Sequence, residues 1–173
     1  MEEKAIIMLG TAGIREAEKI LAEKTDELSI KYSARYLKDA RHLCGIWRKK
    51  QDKYTAFLGV HKDQKYIVCG TEGIFGALFR LGGEYDTGLR AVLKDIPIDQ
   101  HVIELCDFVD INPYEADSTG CILLISEAPG EAIRQFSENG IEASLIGYTV
   151  NNKARVVEGD TVRYLTDPIP ALQ

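Results

Sequence analysis

Residues 71–126 read TEGIFGALFRLGGEYDTGLRAVLKDIPIDQHVIELCDFVDINPYEADSTGCILLIS, and this stretch decides the fold. The turn Gly70-Thr71-Glu72-Gly73 feeds a helix whose apolar face is Phe75, Leu78, Phe79 and Leu81. Thr71 is placed as its N-cap, and Glu72 in the first turn complements the helix dipole. Gly73 and Gly76 lie three apart in that helix, each at a cost of up to about 1 kcal/mol relative to Ala, so something must approach the backbone closely there, a strand before a ligand. Gly82-Gly83 supplies positive-φ positions to end the helix. A short strand over Leu89–Leu93 follows, then a helix capped by Asp99 and stopped by Asn112-Pro113, since proline disfavours the helical region for the residue before it. Ser118-Thr119-Gly120 leads into Cys121–Ile125, an unbroken apolar run that fits a strand covered on both faces.

Working outward, Lys4–Leu9 is a short apolar strand closed by the GTAG turn, Gly10 to Gly13. Ile14, Ala17, Ile20 and Leu21 then recur at helical spacing. Thr25 or Asp26 caps a further helix with the stripe Leu28, Tyr32, Tyr36, Leu37, Ala40 and Leu43. The pattern blurs after Cys44-Gly45, Gln51–Val60 reads as a separate short helix, and Tyr66–Cys69 as a strand. Downstream, Pro129 opens and Gly140 closes a helix over Glu131–Asn139. Ile141–Val150 is a strand interrupted at Gly147, Ala154–Val157 and Val162–Leu165 form a closing hairpin, and the tail Asp167–Gln173 is expected to be loose. Strands that alternate with helices and then crowd together predict a single α+β domain over 1–173, a mixed sheet with helices packed on it.

The 173 residues are 45% hydrophobic and 28% charged, the range of one ordinary globular domain. No window is apolar enough for a membrane helix, and the acidic start MEEK is unlike a secretory signal, so a soluble cytoplasmic protein is expected. The net charge of −6 hides an asymmetry: residues 1–65 hold 14 Lys/Arg against 10 Asp/Glu, residues 66–173 hold 7 against 17. The cluster Arg48, Lys49, Lys50 and Lys53 could meet phosphate or an acidic partner, and a solvated helix end explains it as well. Nucleic acid is disfavoured, because that role asks for a far more basic domain. Cys44, Cys69, Cys106 and Cys121 contain no C-x-x-C pair and read as buried thiols. His42, His61 and His101 share no metal-ligand spacing.

The run Thr71-Glu72-Gly73, Phe75-Gly76-Ala77-Leu78, Ile96-Pro97-Ile98, Ile111-Asn112-Pro113-Tyr114 and Ser118-Thr119-Gly120 resembles the C-terminal domain of aminoimidazole ribonucleotide synthetase-related proteins, and within them the hydrogenase maturation factor branch. Ile141 to Gly147 extends the match, and the GTAG turn is similar to the glycine turn that opens that domain. The resemblance implies a three-layer α/β/α domain, partly ferredoxin-like, which in full-length relatives follows an N-terminal domain supplying most ATP and magnesium ligands and the dimer interface. That N-terminal domain is not in the sequence given. Members of the branch carry a His-Asp pair ahead of a Thr-Glu-Gly-Gly turn and a C-terminal cysteine that accepts a carbamoyl group. Here Val68 and Cys69 stand at the pair, Ile74 at the second glycine, and the sequence ends Pro170-Ala171-Leu172-Gln173. Apolar side chains move no proton, so the turn has lost that polar chemistry.

The expectation is therefore a non-catalytic binding or assembly module, forming a homo-oligomer or docking a separate N-terminal-half-like protein. The alternative is half of a split ATP-dependent enzyme. No cofactor is expected for the isolated chain, and ATP with magnesium only beside a nucleotide-binding half. The ligand-facing candidates are Gly10, Thr11 and Gly13 of the first turn and Thr71, Glu72, Gly73 and Gly76 of the second. No catalytic or metal-binding residue is assigned.

Overall fold

A computed structural model describes residues 3–60 and 64–168. The chain runs β1 (Ala5–Leu9), α1 (Ile14–Glu23), α2 (Thr25–Lys31), α3 (Ala34–Val60), β2 (Lys65–Val68), α4 (Gly73–Glu84), β3 (Gly88–Val92), a 3₁₀ turn (Leu93–Asp95), α5 (Gln100–Phe108), β4 (Ile122–Ser126), α6 (Pro129–Glu138), β5 (Ala143–Val150), β6 (Arg155–Glu158) and β7 (Val162–Tyr164). The seven strands form one mixed sheet in the order β2-β4-β1-β5-β3-β6-β7. Neighbours are antiparallel except β3 and β6, which run parallel. This is the α+β architecture expected from the order of elements.

Every residue of β1 and β4 is buried, because helices cover both faces at the middle of the sheet. On one face Ile6, Met8, Leu123 and Ile146 pack against α4 through Ile74, Leu78 and Leu81. On the other, Ile7, Leu9, Ile122 and Leu124 meet Tyr54 and Leu58 of α3 and Phe136 of α6. A third apolar cluster lies beyond the end of β1, where α1, α2 and α5 pack on the first half of α3 through Leu21, Leu28, Leu37, Val102 and Leu105.

Three local expectations are corrected. The single helix expected from Thr25 breaks at Tyr32, whose backbone is extended. Ser33 starts the next helix by accepting the Tyr36 N–H at 3.1 Å, while the Thr25 hydroxyl donates back to the Leu21 carbonyl instead of capping. Conversely, the two helices expected around Gly45 are one of 27 residues. Its buried positions Leu37, Ala40, Cys44, Gln51, Tyr54 and Leu58 keep helical spacing throughout, and the polar but buried Gln51 hides the continuity. Finally, α4 runs through Gly82-Gly83 to Glu84, and the positive φ that turns the chain belongs to Asp86. The Asp167–Gln173 tail is described only to Pro168, so most of it, like His61, lies outside the described residues.

Candidate functional site

The topology explains why the two glycine corners meet. β4 lies between β1 and β2 and is antiparallel to both, so its entry is flanked by the exits of its neighbours. Residues 113–121 therefore run between the corner after β1 and the corner after β2. The hydrogen bonds stitch all three. The Gly13 N–H donates to Ser118 Oγ at 2.8 Å, Ser118 N–H to the Gly70 carbonyl at 3.2 Å, and Cys121 Sγ to the Thr11 carbonyl at 3.1 Å. The Glu16 N–H in the first turn of α1 reaches the Asp117 carbonyl at 3.1 Å, and the Phe75 N–H in α4 reaches the Tyr114 carbonyl at 3.1 Å. Asp117 also accepts from Lys19 Nζ at 2.5 Å and from both the N–H and the hydroxyl of Thr119. Burial alone would raise its pKa, and the Lys19 and Thr119 bonds outweigh that, leaving it below the ordinary carboxylate value.

Gly10, Thr11 and Gly13 end up buried beneath this loop, and only the second corner opens to solvent. At Gly73 the backbone is left-handed (φ +73°), and a Cβ there would lie 2.5 Å from the Glu115 carbonyl carbon. The close approach anticipated from its sequence is thus made by a loop, neither by a strand nor by a ligand. A Cβ on Gly76 would meet the side chain of Glu72 at 2.5 Å and Pro168 at 3.1 Å. Thr71 forms no N-cap bond; Glu72 holds the cap position, again without a side-chain bond to the backbone of the helix. Its carboxylate accepts from Arg80 Nε at 2.7 Å and from Arg80 Nη2, which also donates to the Val68 carbonyl at 2.8 Å.

Thr71, Glu72 and Gly76 line an open cavity of about 260 Å³ whose far wall is residues 165–168. Phe75 stacks on Tyr114 with ring centroids 5.4 Å apart, and the Arg163 guanidinium lies over Phe75 while pairing with Glu115. The sequence could have announced Arg80, which is eight residues from Glu72 and so two turns along one helix face. Arg163 had no local signal, since it arrives through the β6–β7 hairpin. Val68, at the first position of the missing polar pair, is half exposed; Cys69 and Ile74 are in the core.

Among the described residues no group of three or more His, Cys, Asp or Glu side chains is placed to hold a metal. Burial pushes the Cys69 thiol well up and Cys121 up to about 12, which keeps both protonated. The His101 ring lies tilted against Tyr36, with centroids 4.9 Å apart, and His42 is exposed on α3. Of the basic cluster, Arg48 pairs with Glu18 and Lys50 with Glu142.

No family model matches the sequence, and no curated protein matches it either. Solved structures do. E. coli HypE, a hydrogenase maturation protein, superposes with a TM-score of 0.71 at 15% identity over 96% of this chain and 52% of its own. HypE in a HypE–HypF complex gives 0.68 at 13% identity over 95% and 53%. AaThiL complexed with AMPPCP and TMP gives 0.58 at 14% over 91% and 48%. The chain spans about half the length of each, and at this identity the correspondence establishes fold: a mixed seven-stranded sheet with its helices, as found in half of HypE and half of AaThiL.

Proposed function

We propose that the chain is a binding or assembly module built on this fold, without catalytic activity of its own. One observation supports the reading: four backbone N–H groups at the two glycine corners, those of Gly13, Glu16, Gly73 and Phe75, already donate to acceptors of the protein. A phosphate cradle needs those donors unpaired and pointing outward. The cavity that remains open beside Thr71 and Glu72 is bordered by Glu115, Arg163 and Asp167, a mixed-charge rim with an aromatic floor that fits a protein side chain or a short segment better than a triphosphate. The HypE–HypF complex gives a precedent, in a protein of the same fold, for assembly with a second protein.

The second reading, half of a split ATP-dependent enzyme, is favoured by AaThiL, which holds AMPPCP on a related fold. Isothermal titration with magnesium and ATP separates the two. The module reading expects no binding heat from the chain. Saturable heat that disappears in Glu72→Ala would replace it with the nucleotide-binding reading.

A further inference from the structure

The two faces of the sheet are covered unequally. Over β3 and β6 the face that includes Ala91 and Val157 packs on α4, while on the opposite face Arg90, Tyr148, Val162 and Tyr164 are exposed, Val92 and Glu158 are half-buried and Val156 is buried between them. Register places Tyr148, Arg90, Val156 and Tyr164 side by side across β5, β3, β6 and β7 on that opposite face. Val92, Glu158 and Val162 form the adjoining row. Tyr164 is 70% exposed, Val162 55% and Tyr148 43%. At the centre Arg90 and Glu158 pair at 3.1 Å. A sheet face without its covering layer is an incomplete core, and Tyr with Arg at its centre is the composition of protein interfaces.

The charges indicate what fits there. Arg90 and Glu158 are diagonal neighbours, one on each row. A second copy, turned about a two-fold axis lying between the faces and perpendicular to the Arg90–Glu158 line, sets each Arg90 over the partner's Glu158. Each Glu158 then faces the partner's Arg90. The patch is thus complementary to itself, as an isologous interface requires, and two sheets can stack on it at the usual spacing of about 10 Å. We propose that this face joins two copies of the chain, sheet against sheet, with Tyr148, Val162 and Tyr164 surrounding a ring of four alternating charges. The inference rests on the reading of the chain as an assembly module and names its partner as a second copy.

Sedimentation equilibrium of the full chain tests it, alone and with Arg90→Glu and Glu158→Arg. The wild-type chain is expected to reach the mass of two chains as concentration rises. Each single variant places like charges opposite each other across the interface and is expected to stay at the mass of one. An equimolar mixture of the two variants restores opposite charges only between chains, so it recovers the dimer although the ion pair within each chain stays broken. Circular dichroism melts confirm that the variants fold, which exposed side chains allow. A monomeric wild type, single variants that still dimerise, or a mixture that stays monomeric would each overturn the proposal. None of these outcomes bears on the magnesium–ATP titration, so the two readings fail separately.

Discussion

At the scale of single residues, the glycine corner is a packing device. Gly73 combines a left-handed backbone with an approach by Glu115 that leaves no room for a Cβ. Gly73→Ala is expected to lower stability by about 2–4 kcal/mol, the cost of the backbone conformation plus displacement of the loop; chemical denaturation reads it, and a loss under about 0.5 kcal/mol would mean that the loop does not close on the helix. The sequence marked Gly73 as a site of close approach because a helical glycine is costly, but it could not name the approaching segment, which lies some forty residues downstream. Asp117 carries no signal of its own in the sequence, as one of 27 acidic residues. Its role appears only once Lys19 and Thr119 are beside it. Asp117→Ala is expected to cost about 1–3 kcal/mol, most of it from the Thr119 turn, since Lys19 is half in solvent and an exposed ion pair adds little. The lowered pKa fixes the sign of the pH effect: this contribution is present above the ordinary carboxylate value of 3.8 and lost as pH falls through the folded-state value. Wild type and variant therefore converge in stability under acid, which urea melts at falling pH measure.

At the scale of elements, the sequence was most legible where one pattern ruled and least where two did. β1 and β4 are unbroken apolar runs covered on both faces, and α1, α4 and α6 carry apolar residues at helical spacing, so a single pattern announced each of them. α3 instead serves two cores, meeting α1 and α5 with Leu37, Ala40 and Cys44, and the sheet with Tyr54 and Leu58. The exposed Gly45 and buried Gln51 at the changeover look like a break in sequence, although the backbone needs none. Gly45 is also the clearest opportunity to stabilise the molecule, because a Cβ there meets nothing within 4 Å. Gly45→Ala should raise stability by about 0.5–1 kcal/mol through helix propensity alone. A destabilised variant would mean that the helix is interrupted at that point, as the sequence pattern reads. The cavity was half legible for a related reason: Thr71 and Glu72 lead into the helix that the sequence identified and Gly76 lies in its first turn, whereas Arg163 and Pro168 come from the far end of the sequence.

At the scale of the whole molecule, strand order and inner lining were out of reach of local pattern, since the sheet is closed by pairings such as the Lys4 N–H to Thr149 Oγ1, 145 residues apart. The thiols show how those distant pieces share one stability. Cys69 and Cys121 lie in the core between sheet and α4, Cys44 and Cys106 in the helical cluster, and burial raises all four: Cys44 to about 11, Cys106 and Cys121 to about 12, and Cys69 well above its ordinary value. The folded chain therefore keeps these protons at pH values where an unfolded thiol, near 9.0, has lost its own. Their contribution is complete below that value and is lost as pH rises toward the folded-state values, at about 1.4 kcal/mol per pH unit for each thiol that stays protonated. Urea melts between neutral and strongly alkaline pH should show stability falling steeply above pH 9. Cys106→Ala should be less stable than wild type at neutral pH and show a shallower alkaline fall, by the slope of one proton. Native thiols should also resist a disulfide reagent at pH 8 and react together when the chain unfolds, because the corner loop ties the two clusters together through the Ser118–Gly13 and Cys121–Thr11 hydrogen bonds. If Cys44 and Cys106 reacted well before Cys69 and Cys121, the helical cluster would open on its own and the cooperative unit would be smaller than the domain.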